Sequence, residues 1–287
     1  MHFCKYLSFF LYKYVTFVLK YSVKYFFYMK QPQLDEYQLG KDVIAFSSTR
    51  QEGYSIGPYA AFNINIYCGD DDKAIRTNRE ALCQWLGITD DHLLMPHQVH
   101  LTEMVQIDDN LMQLTVQKRL EEMEGKDAIM TNLKGVCIGV STADCIPVLL
   151  YDPRQQAICA IHAGWRGTVN RIVEKSIQKM KQVYGSRPSD LVAQIGPGIS
   201  LESFEVGDEV YDAFEQAGFD MQAISRKEAK WHINLPVCNR LQLLQMGVEE
   251  SHIQVSSFCT FIQHERYFSA RRLGIRSGRI FTGIMLK

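Results

Sequence analysis

Apolar residues along this chain fall into two kinds of run. Short β-like runs recur at residues 43–47, 136–141, 146–151, 157–162, 191–195 and 253–256. Each is four to six residues long, a length that suits strands and is too short for a stable helix. Helical spacing appears at 74–86, 168–184 and 235–246. In the second of these, Val169, Ile172, Val173, Ile177, Met180 and Val183 lie close to one face, and Gly185 follows as a left-handed cap. In the third, Pro236 stands in the first turn and Gly247 just past the end, where each is best tolerated. Strand and helix patterns mixed without strict alternation predict an α+β domain, not a doubly wound parallel sheet. No repeat, low-complexity tract or Pro/Gly-rich linker follows Gln31, so residues 29–287 read as one domain.

Two of the runs are separated only by Asp152-Pro153-Arg154-Gln155. Asp followed by Pro is turn chemistry, and four-residue hairpin loops are common. Antiparallel pairing across this loop sets Tyr151 opposite Gln156, and the same register sets Cys145 opposite His162. Directly opposed Cβ atoms lie about 4.5–5.5 Å apart, within reach of a shared ion. The segment around them is rich in glycine, Gly164-Trp165-Arg166-Gly167, and a helix starting near Thr168 presents free N–H groups to an anion. The pair reads equally as two metal ligands or as a thiol nucleophile with its base. Cys137 and Cys159, inside apolar runs, read as small core residues.

Composition narrows the class. The chain has 287 residues, 46% hydrophobic and 22% charged, with a net charge of −1. That excludes disorder and a strongly basic nucleic-acid surface. Eight scattered cysteines in a chain of this size read as reduced thiols of a cytoplasmic protein. Residues 1–28 differ from the rest: they hold no Asp, Glu, Gly or Pro, and twelve of them are Phe or Tyr. Lys5, Lys13, Lys20 and Lys24 interrupt every window long enough to span a membrane. We expect this segment to be upstream sequence with translation starting at Met29. A peripheral amphipathic anchor is the alternative, and the N-terminal mass of the native product separates the two.

A third metal ligand is sought first in Met95-Pro96-His97-Gln98-Val99-His100, the segment richest in His. On an extended strand His97 and His100 point to opposite faces, so one is available to a metal and the other is not. A multicopper laccase is disfavoured, because its copper cluster needs His-x-His pairs and none of the eight histidines forms one; a copper-dependent polyphenol oxidase remains the less favoured alternative. A conventional zinc nucleobase deaminase is excluded, since neither H-x-E nor P-C-x-x-C occurs. A zinc-stabilised binding domain stays open at this stage.

HQVH, STADCIPVLLYDP and AIHAGWRGTV together resemble the bacterial purine nucleoside phosphorylases long labelled polyphenol oxidase or laccase-domain proteins. The resemblance runs from about residue 46 to 282 and includes SSTRQEGYSIGPYAAFNIN, IGPGISLESFEVGDEV and CTFIQHERYFSARR. It implies an α+β domain with a β-sandwich-like core flanked by helices, and a zinc site that falls on His100, Cys145 and His162; copper is the less favoured metal. It also implies phosphorolysis of adenosine, inosine, guanosine and methylthioadenosine, together with deamination of adenosine. Purine nucleosides and phosphate are then the partners, with no nucleic acid and no membrane, and a homodimer is the assembly to test. Arg50 and Asn63 fall in the segments that line the family's pocket. Arg50, then Arg166, are the candidates for holding phosphate, His97 for contacting substrate, and Asp144 for carrying a proton. Asn234 stands where the family commonly has Asp, and we read it as a hydrogen-bonding position just before the helix at 235.

Overall fold

A computed structural model describes residues 30–287; the expectation about residues 1–28 falls outside them. Two sheets carry most of the fold. One runs β1 (Leu34–Tyr37), β2 (Val43–Ser48), β14 (Ile280–Leu286), β6 (Cys137–Thr142), β3 (Leu93–Leu94) from edge to edge. The other runs β13 (Ile253–Val255), β9 (Val192–Ile195), β7 (Ile146–Asp152), β8 (Ala157–Ala163), β5 (Ala128–Thr131), β4 (Met104–Ile107). Most pairs are antiparallel, with parallel joins at β3–β6, β4–β5 and β9–β13. A small third sheet of β10 (Glu205–Val206), β12 (Trp231–Ile233) and β11 (Ser225–Lys227) completes the strands.

The period of two along β7 explains why its sequence shows no polar alternation. Leu149 and Tyr151 pack with Ile138, Val140 and Ile284 of the first sheet. Val148 and Leu150 pack on the other side with Ile172, Ile177 and Leu243 of the helices. A strand buried on both faces reads as one continuous apolar run. The architecture is therefore the α+β sandwich with flanking helices that the sequence predicts, and Pro32–Lys287 forms one compact unit. No helix among the described residues is long and apolar enough to cross a membrane.

Two expectations are corrected. The β7–β8 hairpin pairs Asp152 with Ala157 and Pro147 with His162, two residues away from the expected register. The cause is the Asp152 carboxylate, which accepts from the N–H groups of Arg154 (2.9 Å) and Gln155 (3.0 Å). This Asx-type turn leaves Asp152 in the strand and moves the loop to 153–156, with Gln156 left-handed at φ 49°. A slip of two residues preserves the face. Cys145, just before β7, therefore lies diagonal to His162 and on the same side. The second correction is to the helix at 168–184, which is two helices, Trp165–Val169 and Ile172–Tyr184. Arg171 breaks the run at φ 62°; its guanidinium lies 3.7 Å over Phe219 and donates to the carbonyl of Ala217. Thr168 is thus inside a single-turn helix, and the expected anion-binding start at that position is absent.

Candidate metal centre

The ligand atoms of His100, Cys145 and His162 all lie within 4.8 Å of one another. Each comes from a different local structure. His162 is the penultimate residue of β8, on the face that Ile158 and Ala160 turn toward the first sheet. Cys145 sits in the short link between β6 and β7. His100 lies in an irregular segment, left-handed at φ 64°, so the strand geometry expected for His97 and His100 does not apply. The two imidazole rings meet edge to face at 4.8 Å. Gly164 borders the cluster: a Cβ there would stand 3.1 Å from His100 Cδ2 and 3.2 Å from Cys145 Sγ. Two imidazoles and a thiolate are a donor set suited to zinc or copper, and the glycine leaves the space they need.

Asp127 organises this cluster, and nothing in the sequence singled it out. Its buried carboxylate accepts from His162 Nδ1 (2.8 Å) and from the backbone N–H of His100 (2.9 Å), Leu101 (2.7 Å) and Val99 (3.3 Å). The first bond fixes the His162 tautomer and turns Nε2 toward the other ligands. The others hold the strained His100 segment in place. Burial would raise the Asp127 pKa, yet the His162 bond and charge and the backbone donors hold it below the usual carboxylate range.

Electrostatics separate Cys145 from the other thiols. Burial opposes its ionisation, but the His162 charge and hydrogen bonds from His100 and His162 bring its pKa down to about 6. Burial likewise opposes charge on His162, and the Cys145 thiolate and Asp127 overcome it, raising that pKa to about 9. Without metal the two form a thiolate–imidazolium pair. Cys137 and Cys159 are fully buried and burial pushes both thiols up, as core residues require. All seven cysteines among the described residues are free.

The cluster opens on a cavity of about 310 Å³ between the ends of the two sheets. His97 lines it, stacked on Tyr67 at 4.4 Å, with Nδ1 bound to Glu124 at 2.7 Å. Gln98 clamps both the N–H and the C=O of Ser141 at 2.8 Å, tying the HQVH segment to the end of β6. The remaining sequence candidates stand outside the lining. Arg50 donates to the carbonyls of Ala60 and His264 and lies over Phe268. Arg166 is exposed and stacks on Trp165. Asn63 is buried, bonded to Asp70 and to the backbone N–H of Arg279. Both carboxylate oxygens of Asp144 are taken, by Thr260 Oγ1 and by the Arg271 N–H, each at 2.7 Å.

The model of the family described as multi-copper polyphenol oxidoreductase laccase matches residues 44–287. The chain belongs to this family. A purine nucleoside phosphorylase of Bacteroides thetaiotaomicron is 48% identical over 84% of this chain and 90% of its own length. Adenosine deaminase RL5, from an unknown prokaryotic organism, is 39% identical over 89% of this chain and 98% of its own. Among solved structures, YlmD from Geobacillus stearothermophilus superposes with a TM-score of 0.82 at 28% identity, covering 90% of this chain and 99% of that one.

Proposed function

We propose that this family member is a zinc-dependent purine nucleoside phosphorylase that also deaminates adenosine. The observation that carries the reading is the three-residue cluster at the floor of a nucleoside-sized cavity. Structural zinc takes four protein ligands, whereas three leave a position for chemistry. Zinc held by His100, Cys145 and His162 would supply Lewis acidity and lower the pKa of a water. The names of the relatives supply the substrate class.

In phosphorolysis the C1′–N9 bond breaks with its electron pair on the base, and a phosphate oxygen bonds to C1′. The proton that phosphate gives up balances the one that the base gains. In deamination water replaces the amino group at C6 and ammonia leaves. The chain's own part is positional. The Tyr67–His97 stack offers a flat aromatic wall for the purine. Asp127 holds two of the three ligands, and Asp144 joins Cys145 to the 270–279 segment on the far side of the cavity. Adenosine, inosine, guanosine and methylthioadenosine are the substrates to compare.

The test is metal analysis of the purified chain, then adenosine with and without phosphate. Phosphate-dependent adenine, lost together with zinc in Cys145→Ala, is the expected result. Zinc-loaded protein that yields neither adenine nor inosine would overturn the proposal. One observation favours a second reading: the Cys145 thiol lies beside the His162 imidazole, each favouring the charged form of the other, as a thiol nucleophile and its base require. His100→Ala separates the two. It abolishes metal and activity under the zinc reading and spares a thiol-dependent activity under the other.

A further inference from the structure

Phosphorolysis requires phosphate to be held beside the nucleoside, and neither Arg50 nor Arg166 lines the cavity onto which the cluster opens. We propose that Arg279 is the phosphate-binding residue of this site, an inference that rests on the phosphorylase reading. Arg279 is the only arginine or lysine among the described residues lining the cavity. It immediately precedes β14, and its backbone N–H donates to Asn63 Oδ1 at 3.1 Å. Gly278 before it packs against the Phe268 ring so closely that a Cβ would stand 2.3 Å from the nearest ring carbon. The position of the arginine is therefore set by buried structure on both sides.

The guanidinium is oriented by neutral groups alone. Nη1 donates to the carbonyls of Ser277 (2.6 Å) and Gly278 (3.0 Å), and Nη2 to that of Ile275 (2.9 Å). Of five N–H donors, three are thus occupied. The Nε–H and the second Nη2–H have no acceptor among the described residues. Nε and Nη2 lie on one side of the planar group, a pair of donors able to grip two phosphate oxygens at once. No carboxylate among the described residues forms an ion pair with Arg279, so an anion meets a cation without a paired carboxylate.

A second feature of the lining points the same way. Tyr67 Oη and Thr142 Oγ1 are buried hydroxyls with no hydrogen-bond partner among the described residues, and both residues line this cavity. An orphaned buried hydroxyl is costly until it finds an acceptor, and an anion bound in this cavity brings acceptors. The two hydroxyls supplement Arg279. Asn63, expected to contact substrate, takes part at one remove by holding the Arg279 backbone.

The experiment uses the zinc-loaded chain and Arg279→Met, with Arg279→Lys as the charge-retaining variant. Zinc content and melting temperature first establish that each variant is folded and loaded. Inorganic phosphate alone is then titrated calorimetrically, and KM for phosphate is measured with saturating nucleoside. Each charge-assisted hydrogen bond lost predicts a fall of about 10–100-fold, so Arg279→Met should weaken phosphate binding by at least about 10-fold. The ratio of phosphate-dependent to phosphate-independent product falls by a similar factor, and Arg279→Lys recovers part of it. Unchanged phosphate binding in a folded, loaded Arg279→Met protein would overturn the inference, as would wild-type protein that binds no phosphate. Wild-type protein that binds phosphate through Arg279 but releases no base would instead refute the phosphorylase reading and leave the anion site standing.

Discussion

At the scale of single residues, Asp127 carries the most consequence for the fewest atoms. Oδ1 accepts from His162 Nδ1 and the His100 N–H, and Oδ2 accepts from the N–H groups of Val99 and Leu101. In Asp127→Asn one of these positions becomes an NH₂, which faces a donor whichever way the amide turns. Loss of such an orienting partner weakens metal binding by about 10–100-fold, and we expect that loss in a chelator-competition titration of zinc. The charge state of the ligands makes a second prediction. Between pH 6 and 9 the metal-free site holds a Cys145 thiolate and a protonated His162. Metal displaces the imidazolium proton, so these two groups release about one proton in that window. Below a pH of about 6 the thiol adds a second, and above about 9 the release vanishes, so affinity rises with pH and then levels off. Calorimetry in buffers of different ionisation enthalpy measures it. The proximity of Cys145 and His162 was legible because both flank one local turn, though two residues out of register, whereas His100 came only with the family resemblance. Asp127 was not legible, because its partners lie 26–35 residues away on both sides.

At the scale of elements, local chemistry accounts for what was legible and long-range contact for what was not. The helix Asp72–Leu86 begins on Asp71, whose carboxylate caps the Ala74 N–H, and ends on Gly87 at φ 71°. The helix Ile172–Tyr184 likewise ends on Gly185 at φ 73°. Its start was unreadable, because Phe219 and the Ala217 carbonyl draw Arg171 out of helical geometry. β14 escaped notice because Gly283 interrupts its apolar run, yet the strand lies between β2 and β6. A Cβ at Gly283 would stand 2.6 Å from the Phe281 ring, so ring packing demands the residue that weakens the strand signal. Asn234 tests this reasoning directly. It is the N-cap of the helix Leu235–Gln245, accepting from the Val237 N–H at 3.2 Å. Asn234→Ala should cost about 1 kcal/mol in a denaturant titration. Asn234→Asp keeps the cap and places negative charge at a helix start, so it should be neutral or stabilising by a few tenths of a kcal/mol, with activity retained. A large activity change in Asn234→Asp would mean that this position reaches the chemistry.

At the scale of the whole molecule, the site is where the two sheets and their connecting segments end together. His162 stands next to the end of β8 of the six-stranded sheet, Cys145 joins β6 of the five-stranded sheet to β7, and His100 rides on the segment that Gln98 ties to Ser141 at the end of β6. Asp144, next to Cys145, reaches across to the Arg271 N–H and so fixes the segment that carries Ile275 and Arg279 over the cavity. A metal at this junction would tie both layers of the sandwich to one point. The unfolded chain has no such arrangement, so metal binding adds to the stability of the folded state by mass action. With free metal at 100 times Kd the gain is about 2.7 kcal/mol. For a domain of this size each kcal/mol moves the melting temperature by about 2–4 °C. Chelation should therefore lower Tm by about 5–10 °C, and readdition of zinc should restore it. Hydrogen exchange should show the loss at residues 97–101, 141–145 and 270–279. The helix Asp72–Leu86 is held by its own caps and by the first sheet, and its protection should change least. A Tm indifferent to chelation in protein shown to contain zinc would mean that the three ligands lie on a framework that stands without them. The metal would then serve the reaction alone.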